Sequence, residues 1–437
     1  MSEYRVKAEA ALAELMKKGE SSLKKTKVGG LLDEAGKSSE IAKKAAQKSK
    51  EKAEIPSPQE KTALVLSGGA ARGAYEMGVW QALRELGVRI DLVCGTSIGA
   101  MNAYIIAQGS YEKARDMWLD MKTEEVFDFD HVLTEGGGSF TGIRDILAAD
   151  FPEEDVRASS VAFGLCTVQM NEEASMDPET WTPLYLWKED IPKGKMMDYV
   201  LASCSCYPVV KPYEIDGVKH LDGGFYDYMP VSMALQKGAD RIVAVNLEAV
   251  GWMQGGDIEE AGARLTLIVP SAELGSFVVF DPANTRRIMR LGYLDTMKIY
   301  GAFEGQRYTF MKGSMDQRSL AAAERTGEVF GLDPGVIYSK QSYRNAILKE
   351  IEECRSALDT SKLDADLKTL REKGLSWKAI KTGLDNLGEY SRQAVFLGLC
   401  DGIKKQIAER PLSETPARGS VGRDYNAALW AVKNGLV

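Results

Sequence analysis

Residues 91–107 read as a strand, a sharp turn and a helix in immediate succession, and that unit limits the fold more than any other stretch. Asp91-Leu92-Val93-Cys94 is a short apolar run, Gly95-Thr96-Ser97-Ile98-Gly99 follows it, and an apolar helix is predicted from Ile98 to Ala107. The alternation recurs. Ala63-Leu64-Val65-Leu66 enters a glycine-rich turn, and Val79, Trp80, Leu83 and Leu86 then share a helical face that Gly87 stops. Further strands are expected at Val161–Val168, Pro183–Trp187, Arg241–Leu247 and Leu265–Val269. Buried strands separated by helices give an α/β fold, with a mostly parallel central sheet flanked by helices in three layers.

Three regions are expected along the 437 residues. Residues 1–60 form a Lys-rich N-terminal arm, partly helical or disordered, which ends in Pro56-Ser57-Pro58. Residues 61–310 carry the α/β pattern. Residues 311–437 lose the strand signals and read as a helical C-terminal region, with Ile347, Ile351, Cys354 and Leu358 on one helix face.

Net charge is -8, which argues against a nucleic-acid partner. The arm alone is +3, through Lys17, Lys18, Lys24, Lys25 and Lys27, and then Lys43, Lys44, Lys48, Lys50 and Lys52. It is suited to peripheral contact with an anionic membrane surface, at about 1 kcal/mol per basic residue. The six cysteines have the spacing of neither a disulfide framework nor a zinc site, so free thiols are expected. Residues 1–15 lack the apolar core of a cleaved signal peptide, and no uncharged apolar run is long enough to span a bilayer. The expected location is cytoplasmic, with peripheral membrane contact allowed.

Gly95-Thr96-Ser97-Ile98-Gly99 matches G-x-S-x-G in the context that gives the pattern meaning. A serine on a sharp strand-to-helix turn is forced into strained backbone geometry, and small residues two positions either side (Gly95 and Gly99) avoid the clash. Its hydroxyl stands at a helix N-terminus, where developing negative charge is favoured. Attack on a carbonyl makes an oxyanion, which needs preorganised N–H donors. Ser67-Gly68-Gly69-Ala70-Ala71-Arg72-Gly73 follows the first strand and opens the next helix, so it can supply them. A nucleotide loop is excluded in detail, because no Lys-Ser/Thr follows Gly73 and the dinucleotide glycine pattern is not met.

The serine needs a base, and the chain has only His131 and His220. His131 lies in a polar, acidic stretch (Asp128-Phe129-Asp130-His131) and is expected at the surface. His220 and Asp222 lie two apart on the second arm of a hairpin turned at Asp216-Gly217, so strand alternation puts both on one face. Either Asp222, held by Gly223-Gly224, takes the proton directly, or His220 does and another acid orients it.

The glycine-rich loop, G-x-S-x-G and Asp222-Gly223-Gly224, in that order, resemble a bacterial patatin-like phospholipase over roughly residues 61–310. Ala202-Ser203-Cys204-Ser205-Cys206-Tyr207-Pro208 and Asp227-Tyr228-Met229-Pro230-Val231 are further similar stretches. The resemblance implies a patatin-like fold and a dyad without histidine, Ser97 as nucleophile and Asp222 as base. It implies an oxyanion hole at Gly68, Gly69 and Ala70 supported by Arg72 and Gly73, and no cofactor or metal. The implied activity is hydrolysis of acyl esters in phospholipids or other acyl lipids, of phospholipase A or lysophospholipase type. Acyl transfer to an alcohol through the same dyad, or non-catalytic lipid binding, are the alternatives. One departure stands out: many members have a third glycine where this chain has Ala70, which gives up easy access to positive φ.

Overall fold

The computed structural model describes residues 40–50, 53–126, 141–171, 178–207, 209–249, 251–357, 392–409 and 419–437. They form two compact units that divide after Tyr300.

The first unit is built on one mixed sheet. Its strands are β1 (Thr62–Leu66), β2 (Leu92–Thr96), β3 (Ala162–Met170), β4 (Trp181–Trp187), β5 (Tyr213–Ile215), β6 (Val218–Asp222), β7 (Arg241–Val245) and β8 (Leu265–Ile268). The parallel centre runs β3-β2-β1-β7-β8, and β4, β5 and β6 add antiparallel pairing on the β3 side. Every residue of β1 and β2 is buried, as expected for strands covered on both faces. Leu64, Leu66, Val93 and Val245 face one hydrophobic layer, while Ala63, Val65, Cys94 and Ala244 face the other. This period-2 split makes three layers. The expected hairpin turn is present: Asp216 (φ 51°) and Gly217 (φ 82°) both take positive φ between Ile215 and Val218, as a two-residue type I′ turn requires.

Five helices matter for the site. They are α1 (residues 40–50), α2 (Ala74–Glu85), α3 (Ile98–Gln108), α4 (Met196–Ser203) and α5 (Pro282–Ile299). The face predicted for α2 is buried at Val79, Trp80 and Leu83. Its partner is α5, and the two helices meet at glycines. A Cβ on Gly78 would lie 1.8 Å from the Met289 carbonyl oxygen, and one on Gly292 would lie 2.0 Å from that of Tyr75. Backbone touches backbone here.

Helix α1 falls inside the stretch read from sequence as a solvated arm. Ala42, Ala46 and Ser49 are buried along one side of it, and the two alanines join the layer containing Val65 and Met253. Ser49 Oγ accepts the backbone N–H of Leu267 at 2.7 Å, which occupies a ladder donor of edge strand β8. The lysines Lys43, Lys44, Lys48 and Lys50 stay on its exposed sides.

The second unit, from Gly301, starts ten residues before the expected boundary. It contains a small sheet of Phe303–Glu304, Thr309–Met311 and Ile337–Tyr338 that the sequence reading lacks, because strands of two or three residues show no periodicity. Helices Gln317–Phe330, Lys340–Ala357, Arg392–Glu409 and Gly419–Lys433 complete it, and Ile347 and Ile351 are buried as expected. No helix among the described residues is long and apolar enough to cross a membrane.

The α2–α5 contact yields a clear test. Alanine normally favours a helix over glycine by about 1 kcal/mol. At Gly78 or Gly292 the added methyl overpacks two backbones, so each substitution to Ala should lower stability by about 2 kcal/mol, read from urea unfolding midpoints.

Candidate active site

The site arises from how β3 shares its edges. β4 runs along one edge, where Cys166 faces Tyr185 and Thr167 faces Leu184. The other edge is divided end to end. β2 arrives parallel and stops with Thr96 opposite Cys166, and β6 arrives antiparallel and stops with Asp222 opposite Thr167. Two strand ends therefore meet head-on at adjacent residues of β3. Ser97 is the next residue of one chain segment, and Asp222 is the last strand residue of the other.

Ser97 has φ 57° and ψ -128°, a strained conformation for a residue with a side chain. The flanking glycines are sterically fixed: a Cβ on Gly95 would lie 2.4 Å from Gly99, and one on Gly99 would lie 2.4 Å from the Leu66 carbonyl oxygen. Ser97 is partly exposed at the N-terminus of α3. Its hydroxyl is close enough to Asp222 to help hold that carboxylate ionised.

Asp222 is 4% exposed. Burial pushes its carboxyl up to about 7, against the pull of hydrogen bonds from Ser97 and from the Gly224 N–H. The Gly224 bond, to Oδ1, is 2.7 Å. Gly223 must be glycine for room, since a Cβ there would lie 2.3 Å from the Cys166 carbonyl oxygen.

His220 does not reach this pair. It is opposite Gln169, two residues further along β3, and its ring packs edge-on against Tyr199 at 5.8 Å. Its Nδ1 lies 3.0 Å from the Val218 carbonyl oxygen, and the Tyr213 backbone supplies a second hydrogen bond. Burial lowers its pKa. This is a histidine satisfied by its own hairpin. His131 lies outside the described residues.

The glycine-rich loop lies against Ser97, with the Cβ position of Gly68 3.3 Å from Ser97 Cβ. Its amides are not equivalent. Gly68 donates to the Tyr228 carbonyl at 2.9 Å, Ala71 to Phe277 at 2.7 Å and Arg72 to Gly69 at 3.0 Å. The N–H groups of Gly69 and Ala70 have no acceptor among the described residues. Ala70 takes φ 46°, the region a glycine would enter freely. Arg72 donates to the carbonyls of Glu248 (3.0 Å) and Gly275 (3.1 Å), which braces the loop from two sides. Gly73 ends the loop, and its carbonyl accepts from Asn102 Nδ2 at 3.0 Å. The same amide donates to Glu76 at 2.7 Å, a carboxyl that burial pushes well above the usual range.

Sequence reasoning gave no role to Ser203 or Ser205. Ser203 Oγ accepts the Ser97 N–H at 2.8 Å and donates to the Cys166 carbonyl at 2.7 Å. The Ser205 carbonyl accepts the Asp222 N–H at 3.0 Å. One short segment at the end of α4 thus holds the backbones of both Ser97 and Asp222. The only signal in the sequence was that the stretch containing them resembled the same family.

The apolar side chains beside these motifs divide. Met101, Tyr104 and Ile105 are core residues, with Tyr104 bonded to the Phe151 carbonyl, whereas Phe225 packs edge-on against Trp181. Cys94, Cys166, Cys204 and Cys400 are buried thiols, Cys206 is exposed and Cys354 is half-buried; none is disulfide-bonded. No cluster of three metal-ligating side chains occurs among the described residues.

Residues 64–235 match the family described as patatin-like phospholipase. "Patatin-like phospholipase domain-containing protein 7" of Mus musculus is 29% identical over 194 residues, 42% of this chain and 13% of its own length. "Lysophospholipase nte1" of Aspergillus terreus is 30% identical over 195 residues, 43% of this chain and 12% of its own. The chain therefore aligns with only about an eighth of these relatives, and both are eukaryotic, so the bacterial part of the expectation gains nothing from them. Among solved structures, VipD from Legionella pneumophila is 13% identical, with 87% of this chain and 92% of that one covered, at a TM-score of 0.39. The similarity to patatin-like phospholipases thus spans residues 64–235, the stretch that holds Ser97 and Asp222.

Proposed function

We propose that the protein is a lipid acyl ester hydrolase, of phospholipase A or lysophospholipase type, with Ser97 as nucleophile and Asp222 as general base. The observation that carries this reading is the strained Ser97 set at the strand junction beside the buried Asp222, whose carboxyl burial pushes up to about 7. An ordinary aspartate is too weak a base for a serine; one desolvated into the neutral range is matched to the task.

In the proposed reaction Asp222 takes the Ser97 proton as Oγ attacks the ester carbonyl. The N–H groups of Gly69 and Ala70, and the N-terminal end of α3, stabilise the oxyanion. Collapse of the tetrahedral intermediate leaves an acyl-serine, and the leaving alcohol takes the proton from Asp222. Water, deprotonated by Asp222, then attacks the acyl-serine, and Ser97 Oγ leaves with that proton as the fatty acid is released. Gly68 supports the loop through Tyr228 in this scheme rather than donating to the oxyanion. Phospholipid is the proposed substrate, since the family description names phospholipases.

Hydrolysis of a short-chain ester and of lysophospholipid, together with fluorophosphonate labelling, tests the assignment. Ser97→Ala and Asp222→Asn should each abolish turnover, and only the first should remove the labelled residue itself. His220→Gln should keep most activity. If His220→Gln were as inactive as Ser97→Ala, the dyad would be wrong.

The pH dependence has a defined sign. Asp222 must be ionised to act, so kcat/KM should rise with pH through about 7 and then level off. Stability runs the other way. A carboxyl whose folded pKa is raised favours the protonated fold, so its contribution is complete below the unfolded value near 3.9 and is lost as pH rises through about 7. Asp222→Asn should therefore melt higher than the parent at pH 8 and show a much smaller difference at pH 5. A Tm difference independent of pH would contradict the buried-base assignment.

Ser203 is a positioning residue in this scheme. Ser203→Ala frees the Ser97 amide and should reduce kcat roughly 100-fold with little change in KM, the scale of a small displacement of a reacting atom. Ser203→Thr, which keeps the hydroxyl, should recover most of it.

A further inference from the structure

A cavity of about 450 Å³ lies on the sheet face covered by α1, away from α2 and α3, and the proposed reaction makes no use of it. Its apolar floor includes Ala46, Met253 and Val269. Its inner wall is Tyr228 and Asn246, and its rim on the α1 side carries Lys43 and Lys50.

Asn246 sets the polarity of the wall. The residue is 6% exposed, and its Oδ1 accepts both the Tyr228 hydroxyl at 2.9 Å and the Glu248 N–H at 2.8 Å. Those two donors fix which end of the amide is oxygen. The amino group Nδ2 is left with no partner among the described residues, in a side chain that lines the cavity. Nδ2 opens onto the cavity, where it is available to donate to a ligand oxygen in place of water.

Lys43 and Lys50 are seven residues apart on α1, two turns along one side, and both line the same cavity. Neither forms an ion pair among the described residues. Glu248 is the single carboxylate of the lining, and it is exposed, so the rim remains cationic. Donors above an apolar floor suit a charged oxyacid head with a short hydrocarbon stem.

We infer that this cavity is a second binding site, distinct from the Ser97 site, for the carboxylate or phosphate head of an anionic amphiphile. Its occupant would rest against Tyr228, whose carbonyl holds the Gly68 N–H behind Ser97. The site does not depend on the proposed hydrolysis, because the probes that test it contain no carboxylic ester.

Calorimetric titration of the full chain with decanoate, decyl phosphate and decanol, each below its micellar concentration, tests the site. Either anion should bind at least tenfold more tightly than decanol. A preference for decanoate would point to a fatty acid, and a preference for decyl phosphate to an anionic lipid headgroup. Lys43→Glu combined with Lys50→Glu should weaken anion binding at least tenfold. Asn246→Asp, which keeps the acceptor used by Tyr228 and Glu248 but replaces the amino group with oxygen, should do the same. Thermal melting close to that of the parent confirms that these variants are folded. Binding by both variants equal to the parent, or equal binding of decanol and the anions, would overturn the proposal.

Discussion

One edge of a single strand organises this molecule. β3 gives its length on one side to β4 and splits the other side between two strands that approach from opposite directions. A residue that ends a strand at such a junction has nowhere to continue. Each chain must turn away sharply, β2 into α3 through Ser97 and β6 through Gly223-Gly224. The strain at Ser97 and the absence of space at Gly95, Gly99 and Gly223 are consequences of that collision. The closeness of Ser97 and Asp222, which end the two strands at adjacent residues of β3, is another. Packing density converts the junction into a fixed geometry, since a methyl group at any of the three glycines would strike backbone.

The electrostatics follow from the same burial. No cation among the described residues shifts Asp222, and its pKa is raised because a junction inside a covered sheet excludes water. Glu76 is raised for the same reason, yet it has a different occupation. With Asn102, which also accepts the Trp118 indole N–H at 3.0 Å, it joins α2, α3 and the end of the glycine-rich loop by hydrogen bonds. Two buried carboxyls of similar environment thus differ in what they face. One meets a partly exposed hydroxyl, and the other meets only amides of the core.

Much of this was legible in the sequence where local chemistry is decisive. The strand–turn–helix unit at 91–107, the type I′ turn at Asp216-Gly217 and the alternation of β1 report directly on backbone and burial. The choice between His220 and Asp222 was not legible, because alternation assigns both to one face and says nothing about where β2 ends along β3. Two residues of offset separate them: His220 is opposite Gln169, while Asp222 is opposite Thr167 at the junction. Ser203 was invisible for a similar reason. Its role depends on a hydrogen bond across 106 residues, and no periodicity encodes that. The docking of α1 was hidden by composition, since a lysine-rich helix with Ala42, Ala46 and Ser49 on one side has a stripe too thin to stand out from a solvated arm.

The pairing of β1 bears on when the site comes into being. β1 takes its two neighbours from β2, close behind it, and from β7, far along the chain. Ser67, the first residue of the glycine-rich loop, donates its N–H to Val245 and accepts that of Leu247 through its hydroxyl, the latter across 180 residues. Contacts of such separation form slowly, because a long loop must close before they are gained. A chain emerging from synthesis can pair β1, β2 and β3 while the glycine-rich loop still lacks its support. The Gly69 and Ala70 amides then take their final positions only once β7 lies beside β1, so this part of the site waits on a contact between distant parts of the chain.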